Sequence, residues 1–305
     1  MTARAERILV IRLGAFGDLV QSFGPFAAIR AHHPAAQITL LTTVPHAPWL
    51  RQAPWFDQIS IDTRPSFWNL VGMARLMRKL RGYDMVYDLQ TSGRSTRYFW
   101  LAGRPHWSGI GVLRSHRHRD PDRDHQHTQD RQRGQLRDAG IRDVPRPDLS
   151  WLMQGPAPRI AGPFALLVPG ASPTRPEKRW PEHSFASLAR QIAQRGLTPV
   201  LAGGASEKAL AARISAACPK AVNLAGQTDV AALAALAARA RVAVGNDTGP
   251  MHLAAAVGCR CIVLFGPGSD PALTAPRAPD GTWATIIESP NLADLPPESV
   301  AAALP

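Results

Sequence analysis

The residues best suited to chemistry in this chain sit where the sequence turns from strand to helix. Val242-Ala-Val-Gly-Asn-Asp-Thr-Gly-Pro-Met-His-Leu-Ala-Ala-Ala-Val-Gly258 starts as an apolar run, breaks at Gly245 to Gly249, and resumes as an alanine-rich helix closed by Gly258. Asp247 or Thr248 can cap that helix. Pro250 suits its first turn, where a missing N–H has no intrahelical partner to lose. Free backbone N–H groups at the positive end of the helix dipole suit a phosphate. A plain strand-to-helix connection needs only the cap, and Asp247, Thr248, Gly249 and His252 together bring more polar chemistry than that.

Three other turns share this character. Gly170 and Ser172 follow the run Phe164 to Val168, Gly203-Gly-Ala-Ser-Glu207 follows Thr198 to Ala202, and Gly266 to Asp270 follows Cys261 to Phe265. In parallel α/β sheets ligands gather at the carboxyl ends of strands, which puts these turns along one edge. Glycine-rich turns ahead of helices fit a nucleotide diphosphate held by backbone N–H groups, and Lys178 is placed to reach the same phosphates. Near the N-terminus, Gly14-Ala-Phe-Gly17-Asp18 adds a carboxylate at another strand end. A cation over a diphosphate with an opposing carboxylate is what transfer from a nucleotide sugar requires.

The elements that must position these groups form two similar halves. Ile8 to Leu13 reads as a strand buried on both faces, followed by a helical stretch Leu19 to His32 and a second strand, Gln37 to Thr42. A short strand follows at Gln58 to Ile61, then an amphipathic helix Phe67 to Leu80 with Arg75, Arg78 and Lys79 on its polar side. Tyr83 to Leu89 is a further strand, whose end adds Asp88, Gln90 and Ser92 as candidates; a helix cap is an equal reading of Asp88. The glycine turn after the first strand is not G-x-G-x-x-G, and no acidic residue stands where a ribose needs one, which disfavours a nicotinamide dehydrogenase. Gln154 to Pro163 is the best linker, dividing the chain into residues 1–155 and 156–305. The second half repeats the strand–turn–helix pattern, with Asp229 capping Val230 to Arg239 and a last short helical segment at Pro297 to Leu304. The expected fold is α/β, two doubly wound Rossmann-like domains facing across a cleft.

Composition narrows the class. The 305 residues carry a formal net charge of +12 and are 45% hydrophobic, enough apolar content for two cores. Such a charge favours nucleic acid, anionic lipid or phosphorylated substrates without choosing among them. Residues 114–133, rich in Arg, His and Asp, read as a solvated loop. Its histidines (His116, His118, His125 and His127) are interleaved with arginines that would repel a cation, so no metal site is expected. Cys218, Cys259 and Cys261 make no disulfide framework, and Cys259 and Cys261 read as core packing. With no leader or membrane span visible, a cytoplasmic protein is expected, with transient contact at the inner face of the membrane.

Taken together, the motifs resemble glycosyltransferase family 9, the lipopolysaccharide heptosyltransferases. The matching residues are Gly17-Asp18 with Pro25 downstream, Lys178-Arg-Trp-Pro181, Gly203 to Glu207, Asp247-Thr-Gly-Pro-Met-His252, and Phe265-Gly-Pro followed by Asp270-Pro271; His127, Arg131 and Arg133 with Leu136 and Gly140 also match. The resemblance implies a GT-B fold, with acceptor on the N-terminal domain and an ADP-activated heptose on the C-terminal domain. It implies metal-independent, inverting transfer with no cofactor, the ADP-sugar being a substrate. Asp18 falls on the catalytic base, Lys178 on a donor-phosphate contact and Glu207 on an adenosine contact. Asp247, Thr248, Gly249 and His252 fall on the donor-sugar and diphosphate loop. The stretch Pro169 to Thr174 departs from the pattern, lacking a histidine and paired threonines, which leaves open a different nucleotide sugar or surface-glycan acceptor. The expected partners are a nucleotide-sugar donor and an anionic glycolipid. A non-catalytic basic binder is the reading from another class, and no recognition helix or RNA-binding motif supports it.

Overall fold

The computed structural model describes residues 4–172 and 175–305; Pro173 and Thr174, the end of the departing stretch, lie outside them. The chain forms two compact units, Met1–Pro147 and Asp148–Pro305. The division falls ahead of the proline-glycine stretch because that stretch is already committed to the second unit. The short helix Ser150–Met153 packs on the helix Val230–Arg239, and Arg239 donates to the Pro158 carbonyl at 3.0 Å.

The first unit contains β1 (Arg7–Ile11), β2 (Gln37–Thr42), β3 (Gln58–Ile61), β4 (Met85–Asp88), β5 (His106–Gly109) and β6 (His116–Arg117). They form one parallel sheet in the order β3-β2-β1-β4-β5-β6. The second unit contains β7 (Phe164–Val168), β8 (Thr198–Leu201), β9 (Val222–Asn223), β10 (Val242–Asn246), β11 (Cys261–Phe265) and β12 (Thr285–Glu288), ordered β12-β11-β10-β7-β8-β9. Numbered from its own first strand, each sheet has the same order, 3-2-1-4-5-6. Both faces of each sheet are covered, so the central strands are buried along their length: every residue of β7, β10 and β11 is buried.

That order decides where ligands go. The direction of winding reverses between β1 and β4 and again between β7 and β10, and a doubly wound sheet opens a crevice at the carboxyl ends there. Ile11 pairs with Asp88 and Gly245 with Val168. The loops after β1 and β4 therefore leave the first sheet side by side, as do those after β7 and β10 in the second.

Several elements differ from their sequence reading. The stretch after β1 is two helices, Phe16–Gln21 and Phe23–His32. The amphipathic helix starts at Leu70, where Asn69 caps it by accepting from Gly72 N at 2.8 Å, leaving Phe67 and Trp68 outside. Cys259 and Cys261 do as expected and pack in the core of the second unit. The terminal helix Pro297–Ala302 docks on Glu182–Gln194, burying Val300 and Ala301. Among the described residues no helix is long and apolar enough to cross a membrane.

The largest correction concerns residues 114–133, which are only in part a solvated loop. They contain β6, a 3-10 turn at Arg123–His125 and the start of the helix Thr128–Asp138. The side chains are divided: Arg114, His118, His127 and Gln132 are buried against partners, while Arg119, Asp122, Asp124, His125 and Arg133 face solvent. Arg114 donates to the carbonyls of Thr96 at 2.6 Å and Val112 at 2.7 Å and lies 3.8 Å from the Phe99 ring. His118 meets Asp138 at 2.8 Å, and Gln132 donates to the Ser22 hydroxyl at 3.0 Å. An element held inside by hydrogen bonds leaves no hydrophobic periodicity to read.

Candidate active site

In the first unit the site is built at the end of β1. Asp18 occupies the third position of the helix Phe16–Gln21, and its Oδ2 accepts from the backbone N–H of Ala15 at 3.0 Å. A carboxylate at a helix start is favoured by the dipole and by the unpaired first-turn donors. Gly17, just before it, is buried. Arg12, the one charge interrupting the β1 run, is 5% exposed. It donates to the Leu89 carbonyl at 2.6 Å and to the Asp18 carbonyl at 3.2 and 3.3 Å, and its Nη2 lies 3.4 Å from Asp18 Oδ1. Burial lowers the pKa of this guanidinium; Asp18 and Asp88 raise it again, while Arg131 and Arg123 come near enough to lower it. The loops after β1 and β4 are also tied by Leu13 N donating to Gln90 Oε1 at 2.8 Å.

Asp18 itself remains open, its side chain 42% exposed. Asp88 is the opposite. It is buried, accepts from Thr91 N at 3.0 Å, and burial pushes its carboxyl up to about 6. It does not cap the next helix; Ser92 does, accepting from Ser95 N. His46 was not anticipated. A Cβ on Gly14 would stand 2.9 Å from His46 Nε2, so the imidazole lies directly over the turn that carries Asp18. Burial, and then Arg64, lower the His46 pKa.

In the second unit the loops after β7, β10 and β11 converge. Lys178, in the 3-10 turn Pro176–Lys178, donates to Asp247 Oδ2 at 2.8 Å. The Ser269 hydroxyl donates to the same oxygen at 2.6 Å, and His252 Nε2 lies 3.9 Å from Asp247 Oδ1. Both sides of the Lys178–Asp247 pair are sheltered, at 17% and 8% exposure. An ammonium has three donors, so Lys178 keeps capacity beyond Asp247. Asn246, fully buried, donates to the carbonyls of Pro169 and Gly170 and accepts from Trp180 N at 3.0 Å. It thus ties the loop of Gly170 and Ser172 to the segment that follows Lys178. Ser172 is exposed at the end of that loop.

Thr248 is the N-cap of the helix Gly249–Ala256, with Pro250 in the first turn. Neither Thr248 nor Asp247 caps with its side chain: no side-chain cap bond forms there, and the Thr248 hydroxyl is buried without a hydrogen-bond partner among the described residues. The Glu207 carboxylate accepts from Gly204 N at 2.7 Å and from Ser206 Oγ at 2.6 Å. A Cβ at Gly170 or Gly203 would stand 2.7 or 2.8 Å from the Glu207 side chain. These glycines therefore let Glu207 lie flat over the ends of β7 and β8.

The structure thus brings Gly170, Lys178, Glu207, Asp247, Thr248, Gly249 and His252 to one edge of the second sheet, and Gly17 and Asp18 to the matching edge of the first. The four candidate histidines are not gathered: His118 pairs with Asp138 and His127 accepts from Gln129 N. Sequence reasoning did not single out Arg12, His46 or Asn246, and it reached Ser269 only as part of the turn Gly266 to Asp270. For Arg12 a signal existed, a lone charge inside a buried strand.

The fold is GT-B, that of a glycosyltransferase with two doubly wound α/β domains. Residues 73–298 match the model of glycosyltransferase family 9 (heptosyltransferase). The chain is 30% identical to lipopolysaccharide heptosyltransferase 2 of Escherichia coli (strain K12), covering 88% of this chain and 85% of that one. It superposes on the structure of the E. coli ADP-heptose lipopolysaccharide heptosyltransferase II with a TM-score of 0.72 at 26% identity, over 97% of this chain and 96% of the other. An E. coli heptosyltransferase solved with ADP-2-deoxy-2-fluoro heptose gives a TM-score of 0.78 at 20% identity, over 97% and 98%. The chain belongs to glycosyltransferase family 9.

Proposed function

We propose that this chain transfers a heptose from ADP-heptose to a hydroxyl of a lipopolysaccharide core acceptor, directly, with inversion at the anomeric carbon and without a metal. The observation that carries this reading is the contrast among carboxylates at the strand ends. Asp247 is occupied by Lys178 and Ser269, Glu207 by its own loop and Asp88 by burial. Asp18 and Glu207 keep part-exposed carboxylates, and of the two it is Asp18 that lies in the first unit, held by its backbone and by Arg12.

In this mechanism Asp18 takes the proton of the acceptor hydroxyl as its oxygen bonds to the anomeric carbon. The bond from that carbon to the diphosphate breaks, and ADP leaves with the electron pair. Lys178, the N-terminus of the helix Gly249–Ala256 and the Thr248 hydroxyl meet the charge that develops on the leaving group. Glu207 holds the adenosine portion, while Asp247 and His252 face the donor sugar. The first unit binds the acceptor and the second the donor. Arg12, Arg123 and Arg131 give the acceptor side a positive field that suits phosphorylated or acidic sugars. The protein then works in the cytoplasm at the inner face of the membrane, with no nucleic-acid partner.

The test is ADP release from ADP-heptose with truncated lipopolysaccharide, in the presence of EDTA. Turnover that EDTA leaves unchanged supports the reading. Folded protein that turns over no nucleotide sugar overturns it. Thermal shifts across ADP-, UDP- and GDP-sugars separate the donor from its relatives, since a tight ligand raises Tm by mass action.

A further inference from the structure

The first unit carries a surface that the transfer chemistry does not use. Phe67, Trp68, Leu70 and Val71 are 63%, 93%, 78% and 62% exposed. They lie together at the start of the helix Leu70–Leu80. The helix Gly93–Leu101 packs against it and exposes Trp100 at 47%. Contiguous apolar exposure of this kind marks a surface made to be covered.

What covers it is indicated by the charges around it. From Thr63 to Arg119 the sequence has eleven Lys and Arg but only two acidic residues, Asp84 and Asp88. Asp88 is buried, and Asp84 is engaged by the Arg4 side chain and the Arg7 backbone. Among the described residues Arg75, Arg78, Lys79, Arg94, Arg97 and Arg104 form no ion pair with a carboxylate. Basic and aromatic groups alternate over the face: Arg97 lies 5.5 Å from the Phe67 ring and Arg104 4.6 Å from the Trp100 ring. Along the helix, Leu70, Ala74 and Arg78 follow one line of the surface and Val71, Arg75 and Lys79 the next. The helix is therefore apolar at its start and cationic at its end. A cavity of about 240 Å³ beside it is lined by Val71 and Leu76 together with Arg75 and Lys79.

We propose that this face docks on an anionic phospholipid bilayer, with Phe67, Trp68, Leu70 and Val71 entering the boundary between headgroups and acyl chains and the basic residues meeting lipid phosphates. Protein interfaces also enrich aromatic residues and Arg but deplete charge at their core, whereas here six cations border the apolar cluster. Exposed tryptophan framed by Arg and Lys with no competing carboxylate is instead the composition of an element lying in a membrane interface. Stable reversible anchoring takes two signals, apolar insertion and a basic patch, and this face supplies both. The proposal deepens the reading of the acceptor as a membrane glycolipid and rests on it for its purpose. Its chemistry needs only the bilayer.

The full chain is tested on vesicles of phosphatidylcholine alone and of phosphatidylcholine with phosphatidylglycerol, both free of any glycan acceptor. Expected is co-sedimentation with the mixed vesicles that high salt reverses, and quenching of tryptophan fluorescence by brominated lipid that Trp68→Ser diminishes. The double variant Arg75→Gln/Arg78→Gln is expected to bind the mixed vesicles about thirtyfold less tightly, with an unchanged thermal melt and unchanged transfer to a delipidated acceptor. Equal binding to both vesicle types, or variants that bind as the wild type does, overturns the proposal. So does a dimer in solution that the same substitutions dissolve, which would make the face a contact between two copies. Vesicle binding without any sugar transfer would overturn the enzymatic reading and leave this one standing.

Discussion

Replacing Asp18 with asparagine separates a catalytic base from a helix cap, because the two roles fail by different amounts. The substitution exchanges one carboxylate oxygen for an amide. The remaining carbonyl oxygen can still accept from Ala15 N, now bonded at 3.0 Å. Arg12 keeps its anchors on the Leu89 and Asp18 carbonyls. What is lost is the charge. The ion pair with Arg12 spans 3.4 Å with the Asp18 side chain 42% exposed, and a pair screened to that degree contributes about 0–1 kcal/mol. The dipole term at a helix start adds about 0.3–1 kcal/mol. The expected stability loss is therefore about 1 kcal/mol. Removing a general base lowers a rate by about 10²–10⁴, or about 3–5 kcal/mol of activation free energy. The assay is ADP release at saturating donor and acceptor, with urea unfolding and donor calorimetry on the same samples. Expected is a near-wild-type melt, near-wild-type donor affinity and transfer lowered at least a hundredfold. Turnover within about threefold of wild type, with the chain folded, refutes the assignment.

Lys178→Met removes one side of a sheltered pair joined at 2.8 Å; Ser269 still serves Asp247, so stability is expected to fall by about 2–4 kcal/mol and transfer by at least about a hundredfold. Adding Asp247→Asn should recover most of the urea stability without recovering ADP release, and recovery of both would show the lysine to be purely structural. Asn246→Ala leaves Trp180 N and the carbonyls of Pro169 and Gly170 unserved, with an expected loss of about 2–4 kcal/mol in urea unfolding; a loss below about 0.5 kcal/mol would refute this tie. Asp88, pushed up to about 6 by burial, is protonated when folded and ionised when unfolded at intermediate pH. The folded state then binds the extra proton, so stability falls as pH rises from about 4 to about 6, by roughly 3 kcal/mol at most, and is level above that. Asp88→Asn should remove that fall in urea melts across the window, and an unchanged slope refutes the linkage.

Apolar strands were the most legible part of the fold. Gln37–Thr42, Phe164–Val168 and Cys261–Phe265 occur with the ends their composition predicts, because a strand covered on both faces is largely apolar along its length; Gln58–Ile61 also keeps its ends, although it is an edge strand and partly exposed. β5 (His-Trp-Ser-Gly) and the two-residue β6 carry no such pattern, and β12, at a sheet edge, is half exposed. The motifs located Asp18, Lys178 and Asp247, since turn chemistry is local. Their partners were invisible for the opposite reason. Lys178 and Asp247 are 69 residues apart, and Arg12 and Leu89 are 77 apart, distances in sequence that only the sheet order closes. The same holds within residues 114–133, where Arg114 and His118 are interior because of acceptors supplied by other elements.

The charge balance of the two edges bears on how the chemistry is shared. At the second sheet Lys178 and Asp247 cancel, so in the proposed mechanism an arriving diphosphate would meet backbone dipoles, a buried threonine hydroxyl and an ammonium with donors to spare, with no large net charge. Such a site can hold a dianion and still release it. At the first sheet Arg12 is spent on two backbone carbonyls and only then on Asp18. Its first effect is positional: it fixes the Asp18 backbone against β4 while leaving the carboxylate in contact with solvent. A base so placed can take a proton without first breaking a strong ion pair, whereas Asp247, gripped by Lys178 and Ser269, would have to break two short hydrogen bonds. The physical difference between these aspartates, rather than their nearness to any motif, is what assigns proton transfer to Asp18 and donor organisation to Asp247 in the proposed mechanism.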